Sequence, residues 1–272
     1  MTTQSTFAHG PGGLRRTENH HDLSDERRVH LDSDGRIFKS INGKLEEIKA
    51  DGDPVSDGDA PAGQATGPGW VTFASWTPET DVTGLEGTWT VPEAPADPTG
   101  QILFIHIGLQ GKLADKDVIA PVVLQWGKTP FGGGDGWSIA CWLQVGELLM
   151  VGNYVDLAPG DTVQAKVLHS HTAGKDLWHM EAATGGTPAT LVFTLDDSLT
   201  DQITYGGSLE AYAVDMSCDQ YPASPSLSFG ELQVKNAGGS LTPDWQAEDC
   251  VTDCGQHTQV VDPATVQILF RS

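Results

Sequence analysis

From Trp70 onward the chain is a succession of short apolar runs separated by Gly, Pro, Asp and Thr turns. The runs include "GTWTVPEAP", "QILFIHIGLQG", "IAPVVLQWG", "WSIACWLQVGELLMVG", "DTVQAKVLHSH", "ATLVFTL", "LEAYAVDM", "LSFGELQV" and "TVQILF". Their spacing is irregular, mostly 10–20 residues, and no long segment repeats at the 3.6-residue period of a helix. Pro159-Gly160-Asp161 reads as a tight turn feeding a strand. This pattern predicts an all-β fold, an antiparallel β-sandwich, over residues 70–272.

Alternate residues of a strand share a face, so polar residues inside apolar runs can be assigned to faces. In "QILFIHIGLQG" one face is Leu103, Ile105, Ile107 and Leu109, and the other carries His106 and Gln110. In "VVLQWG" Gln125 shares a face with Val123, opposite Leu124 and Trp126. A buried amide in such a run needs partners or costs a few kcal/mol, of order 1–3. Glu210 is the sole charge between Ser208 and Val214 and shares its face with Tyr212. A carboxylate under cover on both faces can be driven toward acid–base work. The plainer readings are a Gln that satisfies a neighbouring backbone group and a Glu that contacts a ligand.

Residues 1–69 have a different character. They hold eight of the fifteen basic residues, twelve acidic ones, and no Trp, Tyr or Cys. In "RIFKSINGKLEEIK", residues 36–49, two short runs flank Asn42-Gly43, a dipeptide suited to a hairpin turn. The following "ADGDPVSDGDAPAGQATGPG" reads as a flexible linker. A propeptide, a docking arm and a disordered tail are the three readings of this extension. Its net acidity speaks against a segment that inhibits an acidic groove.

Charge and cysteines narrow the function. The net charge of −22 argues against nucleic acid and anionic membranes, which call for clustered Lys and Arg. It suits a protein that works in acid, or simply a solvated acidic surface. "MTTQSTFAHGPGG" has no apolar core of a signal peptide, and no run reaches the length of a membrane span. The expectation is a soluble chain. Cys250 and Cys254 form C-x3-C near His257, too few ligands for a convincing zinc site. A disulfide among Cys218, Cys250 and Cys254 is the better expectation, with Cys141 a plain buried thiol. His169 and His171 share a strand face and, with His179, form a conceivable metal trio, against the plainer reading of solvent-facing histidines.

Five segments, in order, resemble the glutamic peptidases (eqolisins), acid endopeptidases with a lectin-like, concanavalin-like β-sandwich. "LEGTWTVPEAP" is similar to the family's G-x-[FW]-T-V-P strand and "HIGLQG" to its W-x-G-[IL]-x-G element. "VLQWG" is similar to the I-L-Q-x-G segment that carries the family's catalytic glutamine. "SLEAYAVD" is similar to the A-E-W-I-x-E segment that carries its catalytic glutamate. "LSFGELQVKNA" resembles the F-G-x-[VL]-x-[FV]-x-N-A strand that follows. The resemblance spans about residues 70–237. It implies a dyad of Gln125 and Glu210, with no cofactor, no metal and no covalent intermediate. It further implies a polypeptide substrate contacted by His106, Gln110, Trp126, Trp142 and Tyr212, and, by analogy alone, an extracellular setting.

The chain also departs from the pattern. His106 replaces a tryptophan, Gln110 an acidic residue, Cys141 a second carboxylate, and Ala211 the tryptophan after the glutamate. Histidine is the side chain that changes charge near neutrality, so the departure at 106 implies a higher pH optimum. The alternative is a catalytically silent groove for peptides or glycans, with Trp126, Trp137, Trp142, Trp178 and Tyr212 as stacking surface. Against that stands the plainer reading that most of these tryptophans are core.

Overall fold

The computed structural model describes residues 7–25, 28–41, 44–50, 69–214 and 217–271. In the N-terminal region the strands are β1 (Phe7–Gly10), β2 (Gly13–Arg16), β3 (His20–Asp22), β4 (Arg28–Leu31), β5 (Ile37–Ile41) and β6 (Lys44–Ile48). Then come β7 (Trp70–Trp76), β8 (Gly84–Thr90), β9 (Ile102–Leu113), β10 (Lys116–Trp126), β11 (Trp137–Val145), β12 (Leu148–Val151), β13 (Val155–Leu157) and β14 (Thr162–Thr172). The chain closes with β15 (Lys175–Ala183), β16 (Ala189–Leu195), β17 (Thr200–Tyr212), β18 (Ser226–Asn236), β19 (Gly239–Leu241), β20 (Gln246–Asp249), β21 (His257–Asp262) and β22 (Thr265–Leu269).

Among the described residues these strands form two large sheets packed as a sandwich. The first runs β20-β7-β17-β9-β10-β11-β12-β3, with β13 on β11. The second runs β21-β22-β18-β8-β14-β15-β16-β4-β5-β6, with β19 on β18. The hairpin β1–β2 is a separate two-stranded piece. The sequence expectation of an antiparallel β-sandwich therefore holds for the body of the fold. Two parallel pairs, β3 on β12 and β4 on β16, bring the N-terminal region onto both sheets.

The core follows from alternation. In β16 Ala189, Leu191, Phe193 and Leu195 are buried, while Thr190, Val192 and Thr194 are half-exposed. They face Leu103, Ile105, Ile107, Val122, Leu124, Ile139 and Cys141 of the first sheet within one apolar cluster. By contrast, β11 is buried at every position. A continuous apolar run such as "WSIACWLQV" means a strand covered on both faces. One cover is the second sheet. The other is a smaller cluster on the outer face, Phe104, Val123, Ala140, Trp142, Leu149, Val151 and Tyr212, joined by Ile102, Phe131 and Tyr154.

The disulfide joins Cys218 to Cys254, while Cys141 is a buried free thiol and Cys250 an exposed one. Cys254 is thus bonded away from any zinc site with Cys250, and His257 Nδ1 bonds Asp249 instead. The Asn42-Gly43 turn and most of the linker lie outside the described residues. On either side of that turn β5 and β6 pair antiparallel, with Ile41 opposite Lys44.

Candidate functional site

The outer face of the first sheet collects polar side chains that a covered sheet would otherwise lack. The register decides which. Phe104 of β9 sits opposite Glu210 of β17 on one side and opposite Gln125 of β10 on the other. Directly opposed residues share a face, so Gln125, Phe104 and Glu210 form one row across three strands. The next row places His106 between Ser208 and Val123.

Glu210 is buried, and three donors reach its carboxylate. The Tyr212 hydroxyl donates to Oε2 at 2.6 Å, and the Gly12 backbone N–H donates to the same oxygen at 2.9 Å. His106 Nε2 lies 3.0 Å from Oε1. Burial, then the charge of Glu210 and the hydrogen bond to it, push the Tyr212 phenol well above its ordinary range. The phenol therefore stays a donor at any working pH. Gly69 N–H in turn donates to the Tyr212 oxygen at 3.0 Å.

Gln125 is equally buried, but its amide points at a loop rather than at Glu210. Nε2 donates to the carbonyls of Gly127 (2.8 Å) and Gly132 (3.3 Å), and Oε1 accepts from the Tyr154 hydroxyl at 3.2 Å. The loop after β10 is pinned by Thr129, which bonds the Gly132 carbonyl through both backbone and hydroxyl. Gln125 and Glu210 share a row but not a contact: the Phe104 ring lies in the row between them.

The remaining expected contacts divide between the two faces. Trp142 lies on the outer face, edge-on to Phe104 and Tyr154. Gln110 lies further along the His106 face, where its Oε1 accepts from the Tyr205 hydroxyl at 2.8 Å. Trp126 points the other way, into the main core, edge-on to Trp137. The reason is the two-residue alternation, which separates it from its neighbour Gln125. Trp137 and Trp178 are also core, as the plainer reading had it. The histidine trio does not converge. His169 Nε2 and His171 Nδ1 both meet Asp176 Oδ1, at 3.1 and 2.8 Å, whereas His179 projects from the opposite face beside Glu181. No group of three His, Cys, Asp or Glu among the described residues is placed to hold a metal ion.

Several residues at the site escaped the sequence reading. Trp70 stacks on Tyr205 and tilts against His106. Tyr154 holds Gln125, and the N-terminal hairpin lies over Glu210. "HGPGG" carried the signal for the last of these, since Pro-Gly at the centre of a turn is a type II signature.

The sandwich can be set beside solved structures. One match is a scytalido-glutamic peptidase with a peptide-based transition-state analogue: TM-score 0.51, 15% identity, 74% of this chain and 98% of that chain. A second structure of scytalido-glutamic peptidase with a transition-state analogue inhibitor gives 0.50 at 16% identity, with the same coverage. SCP-B, an eqolisin in complex with the tripeptide Ala-Ile-His, gives 0.49 at 16% identity. The chain has a glutamic-peptidase-like fold. No known protein-family description and no curated protein sequence matches the chain. In this glutamic-peptidase-like fold the outer face of the first sheet is the face that carries Glu210 and Gln125.

Proposed function

We propose that the chain is an endopeptidase of the glutamic type, with Glu210 as general base and acid and Gln125 as oxyanion donor. The observation that carries this reading is the cross-strand row Gln125–Phe104–Glu210 on an outer sheet face that also carries the aromatic cluster of Phe104, Trp142 and Tyr212. Glu210 takes a proton from water as the water oxygen attacks the scissile carbonyl, then returns it to the leaving amine. Tyr212 and His106 fix the carboxylate, and Gln125 donates Nε2–H to the developing oxyanion. Gln125 reaches that oxyanion only by giving up the carbonyls of Gly127 and Gly132, so turnover requires the 127–134 loop to move. The peptide-based transition-state analogue bound by scytalido-glutamic peptidase supports a polypeptide as substrate.

A second reading is a peptide- or glycan-binding groove without catalysis. It is favoured by the engagement of both Gln125 donors in the loop. It is also favoured by four buried polar atoms on this face that have no partner among the described residues: His106 Nδ1, Ser138 Oγ, Trp142 Nε1 and Ser208 Oγ.

The test is digestion of an unfolded protein substrate from about pH 2 to 7 by wild type, Glu210→Gln and Gln125→Ala. Loss of the general base is expected to lower kcat by about 10²–10⁴. Loss of the amide is expected to lower it by about 10²–10³. Cleavage that survives Glu210→Gln unchanged would overturn the assignment. Absence of cleavage at every pH, with residues 1–16 also removed, would leave the binding reading.

A further inference from the structure

A second concave feature lies far from Glu210, on the outer face of the second sheet. It is a trough of about 430 Å³ that crosses β15, β16, β4, β5 and β6. That volume falls in the range of small-molecule sites. The register builds its floor in two rows. In one, Leu177 sits opposite Thr194, Thr194 opposite His30, and His30 opposite Phe38. In the next, His179 sits opposite Val192, and Val192 opposite Arg28. Leu45 of β6 closes the far end. Leu177, Val192 and Phe38 are half-buried, whereas Leu45 is 64% exposed. Apolar side chains gathered in a concavity and left facing water mark a place where an apolar body can lie.

The charge of the trough runs against that of the molecule. The chain carries 37 acidic and 15 basic residues. Yet the trough is lined by Arg28, His30 and His179, and by no Asp or Glu. The carboxylates at its borders are already engaged. Asp196 is met by Lys175 at 2.9 Å and by His30 at 3.4 Å, and Glu47 by Lys49 at 3.3 Å. Glu181 lies 4.0 Å from His179. The His30 ring is held on the floor, stacked on Phe38 with Nδ1 3.0 Å from Thr194 Oγ1. The Arg28 guanidinium, by contrast, has no carboxylate partner among the described residues. A guanidinium in that state is a fork for one carboxylate.

We propose that this trough binds a free medium-chain carboxylate, with its head on Arg28 and its alkyl chain along the apolar floor. Arg28 stands at mid-length, two strands from either end. At about 4.8 Å per strand, each half of the floor is roughly 10 Å long. An extended alkyl chain of about eight carbons covers that distance at roughly 1.3 Å per carbon. One unpaired cation matches a singly charged head. A bilayer of anionic lipid does not fit, because a chain of net charge −22 is repelled by it. The site is independent of the proposed peptidase chemistry, since Glu210 lies on the other sheet.

Titration calorimetry of the full chain with decanoate, decanol and decylamine at about pH 8 tests this. Decanoate is expected to bind one to one with a Kd of about 1 mM or tighter. Decanol and decylamine should bind at least about tenfold more weakly. Arg28→Gln, at an exposed position, should weaken decanoate by about tenfold or more and leave decanol unchanged. Leu45→Asp or Leu177→Asp should weaken both, according to which half of the floor the chain takes. Glu210→Gln should bind decanoate as the wild type does. No binding of decanoate overturns the proposal, and so does equal binding of the three head groups. Binding untouched by Arg28→Gln, or by both leucine variants, overturns it as well. Loss of binding in Glu210→Gln would move the ligand to the outer face of the first sheet and overturn the site.

Discussion

The phenol of Tyr212 serves two partners at once, accepting from Gly69 N–H and donating to Glu210 Oε2. Glu210 is buried, so its Oε2 loses a partner that water does not readily replace when the hydroxyl is removed, while Gly69 is half-buried. Tyr212→Phe keeps the ring under His9 and against Phe104, which isolates the hydroxyl's share. The expected cost is about 1–3 kcal/mol of stability by urea denaturation. On the proposed mechanism kcat falls while KM holds, because the carboxylate loses a positioning donor and the groove keeps its shape. A stability change within error would mean that water replaces the hydroxyl and that Glu210 is less enclosed than its geometry indicates. The same residue shows what a sequence can disclose at this scale. Tyr212 and Glu210 were legible as one strand face. The third donor, Gly12, lies 198 positions away and leaves no local trace.

At the scale of elements, the Cys218–Cys254 bond ties the turn before β18 to the loop before β21. Closing a loop of 36 residues removes chain entropy worth roughly 4 kcal/mol from the unfolded state. Cys218→Ser/Cys254→Ser should therefore lower the urea midpoint by a loss of about 3–4 kcal/mol at unchanged activity. An unshifted midpoint would refute this. Cys250 should not scramble the bond at neutral pH. Partial burial, followed by Glu248 and Asp249, raises its thiol above the ordinary range and starves it of thiolate. The elements that the sequence pattern found, such as β9, β10 and β16, are those whose own residues supply an apolar face. Those it missed borrow their burial. His20-His21-Asp22 is a strand because Leu149–Val151 offers an open edge to pair with. Arg28–Leu31 joins β16 with its own Val29 and Leu31 turned into the core, an alternation of four residues too short to stand out. A polar strand of three residues such as β3 carries no period to read. For the same reason the hairpin over Glu210 was legible only as Pro-Gly, a turn without a destination.

For the whole molecule, the four tyrosines give one collective expectation. Tyr154, Tyr205, Tyr212 and Tyr221 are the complete set, and burial is the leading cause that raises every one of them. Tyr205 and Tyr221 are pushed up to about 12, and the other two are raised as well. Below pH 10 the folded and unfolded chains both keep these protons, and the phenols contribute no pH dependence. Above it the unfolded chain releases them while the folded chain holds them, so stability falls as pH rises. The limiting slope is about 1.4 kcal/mol per pH unit for each phenol, or roughly 5 for the set. Absorbance near 295 nm should therefore stay flat through pH 10 to 11 in the native protein. It should then rise in one step, together with the loss of near-ultraviolet circular dichroism, as unfolding frees all four. A gradual rise near pH 10 with the fold intact would show that at least one phenol is open to water. If that phenol were Tyr212, the cover over Glu210 would admit water within the folded protein.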